Sequence, residues 1–269
     1  MSGESGYQVS DNAAVLYERY AVPYVLGPWS LQLIDLAALR PGERVLDLAC
    51  GTGLIARLAA PRVGSTGKVT GIDFNAGMLA VARALPPVSG PTIAWNQESA
   101  IALKLPDASI DVVLCQQGLQ FFPDKLRALC EMHRVMAPAG RTLLSVWKSA
   151  GPYNIAIAEA LEQYVSKETA TIYRLSRTVP NADELHQWLV QAGFYNVSVC
   201  PSAMTIRLPN IEMFILQHLS TTPVAGAVAR LSDAERSELA RKVHISLHSF
   251  ADGDGVAVPE ETNIAMATR

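Results

Sequence analysis

Arg44-Val45-Leu46-Asp47-Leu48-Ala49-Cys50-Gly51-Thr52-Gly53-Leu54-Ile55-Ala56-Arg57 reads as a buried strand, a glycine turn and the start of a helix. An apolar run ends in Asp47, two glycines follow, and apolar residues then return at helical spacing. Glycines let backbone pass close to a ligand, and a helix beginning there aims free N–H groups and its positive dipole end at the same place. The stretch therefore predicts a nucleotide-type pocket.

Gly51-x-Gly53-x-x-Ala56 also satisfies the dinucleotide fingerprint, so the glycines alone do not choose a ligand. Asp47 discriminates. A carboxylate at the strand end repels a pyrophosphate and attracts an ammonium group, and S-adenosylmethionine carries an ammonium and no phosphate. Lys68-Val69-Thr70-Gly71-Ile72-Asp73 reads as the next strand, ending in an acid suited to accept both ribose hydroxyls. NAD would want that acid too. Helix caps or turns would explain either aspartate singly, but both in register with the glycine turn favour a ligand.

The chain at this point resembles the S-adenosylmethionine-dependent methyltransferases with a Rossmann-like domain, most closely those of the ubiquinone/menaquinone-biosynthesis type. The matching stretches are Val45–Gly53, Gly71-Ile72-Asp73-Phe74-Asn75-Ala76-Gly77-Met78-Leu79, Leu105-Pro106-Asp107-Ala108-Ser109-Ile110-Asp111-Val112-Val113 and Glu131-Met132-His133-Arg134-Val135-Met136-Ala137-Pro138-Ala139-Gly140-Arg141. Four motifs in order over residues 40–150 make a specific match. The resemblance implies that Asp47 and the backbone at Ala49, Gly51 and Gly53 hold the methionine end, that Asp73 binds the ribose, and that Phe74 and Met78 flank the adenine. Ser99, followed by Ala100, stands where the family usually has an aspartate for the adenine amine, and Glu98 is its alternative. Ala49 replaces a common glycine. Gln116 or Gln117 would contact the methionine end, and Gln120 would orient the acceptor.

Length and composition suit this reading. The chain has 269 residues, 49% hydrophobic and 17% charged, enough to bury a substantial core. A net charge of −3 offers no basic footprint, so nucleic-acid partners are disfavoured. Cys50, Cys115, Cys130 and Cys200 lack metal-type spacing and read as buried free thiols of a reducing cytoplasm. No metal and no transmembrane segment is expected, and a homodimer is left open.

Residues 1–10 read as lacking regular structure. Residues 11–39 have helical spacing interrupted at Pro23, Gly27 and Pro28, a cap whose Tyr17, Tyr20, Tyr24 and Trp29 are candidates to line the substrate pocket. Strands at 44–49, 68–73, 92–96, 110–115 and 141–147 alternate with helices at 53–60, 76–85 and 124–136. Helices at 153–165 and 182–192, a strand at 197–208, helices at 211–219 and 234–247 and a strand at 256–268 follow.

The expected fold is α/β: a Rossmann-like, seven-stranded, mostly parallel sheet with helices on both faces. An N-terminal helical cap (1–40) precedes the cofactor-binding core (41–150). The remainder of the sheet with its helical lid (151–269) has insertions after strand 5 and between strands 6 and 7, all within one structural domain. Phe121, Trp147 and Tyr153 complete the candidate pocket. Asp252-Gly253-Asp254-Gly255 reads as a turn, not a calcium loop.

Methyl transfer from a sulfonium needs alignment and exclusion of water, and a base only where the acceptor must lose a proton. Among five histidines, His133, His186, His244 and His248 are placed on polar helix faces. His218 alone is placed near the pocket, and Gln120 and His218 are the catalytic candidates. The chain thus reads as a methyltransferase of small molecules, acting on an O, N or C nucleophile of a secondary metabolite or lipid. A quinone-type C-methyltransferase, an NAD-dependent oxidoreductase and a non-catalytic S-adenosylmethionine-binding module are the alternatives.

Overall fold

The computed structural model describes residues 11–269, so the stretch 1–10 lies outside the described residues. Helix α1 (Asp11–Leu16) continues through widened π-type turns over Tyr17–Leu26 into α2 (Gly27–Ala37). The expected interruption at Pro23 is instead absorbed by those wider turns, and Pro28 sits in the first turn of α2, where a missing N–H leaves nothing unsatisfied.

The core then alternates: β1 (Arg44–Leu48), α3 (Leu54–Val63), β2 (Lys68–Asp73), α4 (Ala76–Ala84), β3 (Ala94–Gln97), β4 (Ile110–Gln116), α5 (Lys125–Val135) and β5 (Met136–Trp147). Helices α6 (Pro152–Tyr164), α7 (Lys167–Thr178) and α8 (Ala182–Gln191) lead to β6 (Tyr195–Leu208). Then come α9 (Ile211–Leu219), α10 (Ala225–Val228), α11 (Asp233–Ser246), β7 (Ala251–Asp252) and β8 (Gly255–Thr268). The sheet order is β3-β2-β1-β4-β5-β8-β6, and β7 pairs only with β8. Strands β1 to β5 are parallel, whereas β8 runs antiparallel to both β5 and β6. The seven expected strands are thus joined by a two-residue eighth, whose turn into β8 is the Asp252–Gly255 segment.

Alternation along the central strands explains the layers. Val45, Val112 and Leu114 face α2 and α3 with Leu33, Ile34, Ile55 and Ala59. Their neighbours Leu46, Leu48, Val113 and Cys115 face α5 and α8 with Leu129, Met132, Leu185 and Leu189. A third cluster binds the cap and the lid to the sheet edge: Val25 and Trp29 pack with Trp147, Ile157, Tyr173, Phe214 and Val258.

Helix α7 escaped the sequence reading because its inward face carries Thr169, Ala170, Tyr173 and Arg177, too polar to show an apolar stripe. Strand β5 starts five residues earlier than expected. Two cysteines depart from the buried expectation: Cys50 and Cys115 are buried, but Cys130 and Cys200 are exposed. His133 is half-buried, edge-on to Phe194 at 5.1 Å, instead of facing solvent. Among the described residues no helix is long and apolar enough to cross a membrane.

Candidate active site

Parallel strands deliver their carboxyl ends to one crevice, and β1 and β4 adjoin where the winding order reverses. A cavity of about 330 Å³ opens there. Of the residues singled out from sequence, Tyr17, Ala49, Gly51, Asp73, Phe74, Met78, Ser99, Ala100, Gln116, Gln117, Phe121, Trp147 and His218 line it, with Glu98 beside Ser99.

Asp73, at the end of β2, is one of its polar lining groups. Its Oδ2 accepts from Gly51 N at 2.8 Å and its Oδ1 from Asn75 N at 2.8 Å. Burial raises its pKa, against these backbone donors. The carboxylate thereby fixes the glycine turn and the start of α4 while keeping lone pairs for a ligand. Phe74, Met78, Ala100 and Ile101 form an apolar slot on one side of it.

Asp47 lies behind this surface. It is 1% exposed, accepts from Ala56 N at 2.9 Å, and borders a smaller cleft with Tyr17, Cys50, Thr52 and Gln116. Burial pushes its pKa up to about 7. The capping role weighed for it from sequence is thus the contact present.

Gly53 does not line the cavity; it has φ +88, and a Cβ there would fall 2.2 Å from the Trp95 ring, so its missing side chain makes room for Trp95. Gly51, at φ +55, does face the cavity, beneath Tyr17. Ala49 adopts φ +58, which gives a physical reason for the glycine usual at this place.

Gln116 and Gln117 reach the cavity but their side chains are engaged elsewhere. Gln116 Nε2 donates to Leu26 O at 2.9 Å, and the Ser30 hydroxyl lies 2.6 Å from Gln116 Oε1, tying the cap to the end of β4. Gln117 Nε2 donates to Thr262 Oγ1 at 2.9 Å. Gln120 does not line the cavity: its Nε2 turns to Gln117 Oε1 at 3.3 Å. Tyr20 and Tyr24 pack edge-on against Phe214, and Trp29 is buried edge-on to Trp147 at 6.3 Å. These three aromatics attach the cap to the lid and the sheet; they do not line the pocket.

The far end of the cavity is walled by Trp147, Ser176, Arg177, His218, Thr221 and Thr222. Tyr153, expected in the pocket, lies behind His218, its hydroxyl 2.8 Å from Nδ1. That bond leaves Nε2 as the ring's other polar atom. Burial, then the Arg177 cation, depress the His218 pKa to about 3, so the ring is neutral near pH 7. Behind it, Tyr173 Oη donates to Asn154 Oδ1 at 2.7 Å and Asn154 Nδ2 to Glu260 Oε1 at 2.8 Å. Arg177, Asn154 and Glu260 were missed. The one available signal was Tyr173 and Arg177 four residues apart, on one face of an unrecognised helix.

Such a cavity, an acid beside an apolar slot at one end and aromatic walls at the other, suits a nucleoside next to a small molecule. The comparisons agree. A methyltransferase domain model matches residues 45–140. A ubiquinone/menaquinone biosynthesis C-methyltransferase of Hahella chejuensis is 34% identical over 63% of this chain and 76% of its own length. The chloroplastic 2-phytyl-1,4-beta-naphthoquinone methyltransferase of Arabidopsis thaliana is 32% identical over 62% of this chain and 69% of its own. A phosphoethanolamine N-methyltransferase of Haemonchus contortus shares the fold, with TM-score 0.62, 18% identity, and coverage of 97% of this chain and 57% of that one. Fold and site define a Rossmann-like transferase with a nucleoside pocket. The chain belongs to the S-adenosylmethionine-dependent methyltransferases of the ubiquinone/menaquinone-biosynthesis type. S-adenosylmethionine is its cofactor, and the oxidoreductase alternative is set aside. Trp147, Arg177 and His218 all lie beyond the matched span.

Proposed function

We propose that the chain methylates a small aromatic acceptor of the quinol type, seated at the Trp147–His218 end of the cavity. The carrying observation is that Trp147, Phe121 and Phe122 line the same cavity as a neutral His218. Among the O, N and C nucleophiles expected from sequence, the quinone methyltransferases among its relatives favour the alternative of a ring carbon.

The residues present fit the cofactor. Asp73 would accept from the ribose hydroxyls, Phe74 and Met78 would flank the adenine, and Glu98 or Ser99 would meet its amine. The backbone at Ala49, Gly51 and Gly118 would face the methionine end, with Asp47 acting through the start of α3. Bound there, S-adenosylmethionine supplies a methyl group on a sulfonium whose leaving group is already activated. The protein's task is then alignment and exclusion of water. The π-type turns over Tyr17–Leu26 cover one side of the cavity and α9 another, supporting cap (1–40), core (41–150) and lid (151–269) as working parts. His218 Nε2 would hold an acceptor hydroxyl in place. Its low pKa makes it a hydrogen-bonding partner and not a strong base.

A cytoplasmic location and the absence of nucleic-acid partners are further parts of this reading, supported by free cysteines and a net charge of −3. The test is a transfer assay with isotope-labelled S-adenosylmethionine, offering naphthoquinols beside simple amines. Label on a ring carbon is the expected result, and label on amines alone overturns the reading.

A further inference from the structure

Arg177 is 8% exposed and lines the acceptor end of the cavity, yet its Nε has no hydrogen-bond partner. Among the described residues no carboxylate lies within ion-pair distance of it. Its guanidinium carbon lies 5.1 Å from the Trp147 ring centroid and 5.3 Å from that of Tyr173. Two rings thus hold a planar cation without neutralising it.

The other groups packed around it are His218 on α9 and Glu260 on β8. His218 is neutral; Glu260 feels the Arg177 charge but stands beyond ion-pair distance, its Oε1 taken by Asn154 and its Oε2 without a partner. A buried guanidinium with an unpaired Nε and no carboxylate within ion-pair distance is costly, so folding alone explains it poorly. Its fork suits an oxyanion arriving with a ligand.

We propose that Arg177 anchors an ionised oxygen of the methyl acceptor, making the substrate an aromatic phenolate or carboxylate. This rests on the methyltransferase reading, with the acceptor between Trp147 and His218. A phenolate would place the anion on the reacting ring itself, and a carboxylate would serve as a handle beside it.

The probes are para-nitrophenol, para-nitroanisole and para-nitrobenzoate, titrated into the full chain saturated with S-adenosylhomocysteine. Para-nitrophenol turns yellow on ionising, so its bound ionisation midpoint is read directly. Wild-type protein is expected to bind the ionised phenol about tenfold more tightly than the neutral ether and to lower its midpoint by about one unit, as charge-assisted bonds do. Arg177→Gln should lose that preference and still bind S-adenosylhomocysteine and the ether, whereas Arg177→Lys should keep part of it. Equal preference for the carboxylate probe, again lost in Arg177→Gln, assigns the anion to a carboxylate handle. Three results overturn the proposal: no anion preference in wild type, a preference that survives Arg177→Gln, or no binding of either anion. The wild-type comparison stands even where Arg177→Gln fails to fold. Failure of S-adenosylhomocysteine itself to bind would instead strike the cofactor reading.

Discussion

Ala49 and Gly118 meet so closely that a Cβ on Gly118 would lie 2.6 Å from the Cβ of Ala49. The ends of β1 and β4 therefore touch beside the cavity, where the methionine end of the cofactor is proposed to lie. Gly118→Ala should distort this contact and weaken S-adenosylhomocysteine binding by about tenfold, since a packed site yields poorly to one added methyl. Ala49→Gly should restore part of the binding in the double variant, because it removes the shortest contact, leaving Cys115 Sγ at 3.0 Å as the next, and relieves the φ of +58. Calorimetry on the four proteins of the cycle checks this, and additive losses would show that the contact is not responsible.

Asp73→Asn should cost roughly 2–3 kcal/mol of cofactor binding, the order expected when a hydrogen bond to a charged group is lost. The asparagine keeps one oxygen for the bond from Gly51 N or the bond from Asn75 N but not both. Some loss of thermal stability should therefore accompany the loss of affinity. Unchanged affinity for S-adenosylhomocysteine would remove Asp73 from the ribose role.

Glu260 makes the stability depend on pH. Burial raises its pKa from 4.5 to about 7, so between those values the folded chain holds a proton that the unfolded chain has released. Stability must then fall as pH rises through that window and stay reduced above it. Asp47, raised from 3.8 to about 7, adds a fall of the same sign. Glu260→Gln keeps the acceptor for Asn154 and should recover up to about 3 kcal/mol at pH 8 while changing little at pH 4. Thermal unfolding at the two pH values measures it, and parallel curves for the two proteins would refute it.

Ser30→Ala should loosen the cap without unfolding the sheet. It deletes the hydroxyl shared between Leu26 O and Gln116 Oε1 and leaves the partly buried Gln116 oxygen unpaired, a loss of about 1 kcal/mol. Faster proteolysis within residues 11–37, slowed again by S-adenosylhomocysteine, is the expected signature. Identical digestion rates would mean that the Gln116 link does not hold the cap.

The cofactor half of the molecule was legible because backbone chemistry dominates it. A strand ending in an acid, glycines with positive φ and a second acid must recur wherever a nucleoside sits on this sheet, and Gly51 and Asp73 lie where such spacing predicts. Gly53 has a second reason to be glycine that the sequence does not show, the Trp95 ring packed where a Cβ would stand. The acceptor half was legible only in part: Phe121, Trp147 and His218 were singled out and line the cavity, but Arg177, Asn154 and Glu260 were not singled out. Arg177 lies on a helix with no apolar stripe, and its neighbours Trp147, His218 and Glu260 come from three other elements. The cap proved to be less separable than its sequence suggests, for Trp29 is 1% exposed and packs in the same cluster as the lid.

Leu208 and Val256 stand opposite each other in the β6–β8 pairing, although 47 residues separate them in the chain. Helices α9 to α11 therefore leave and re-enter the sheet through a doorway one strand spacing wide. Whatever is hung in that doorway, the sheet need not move. Exchange of residues 209–254 as a cassette is thus the natural route by which this scaffold could be given a new acceptor while its cofactor chemistry stays in place.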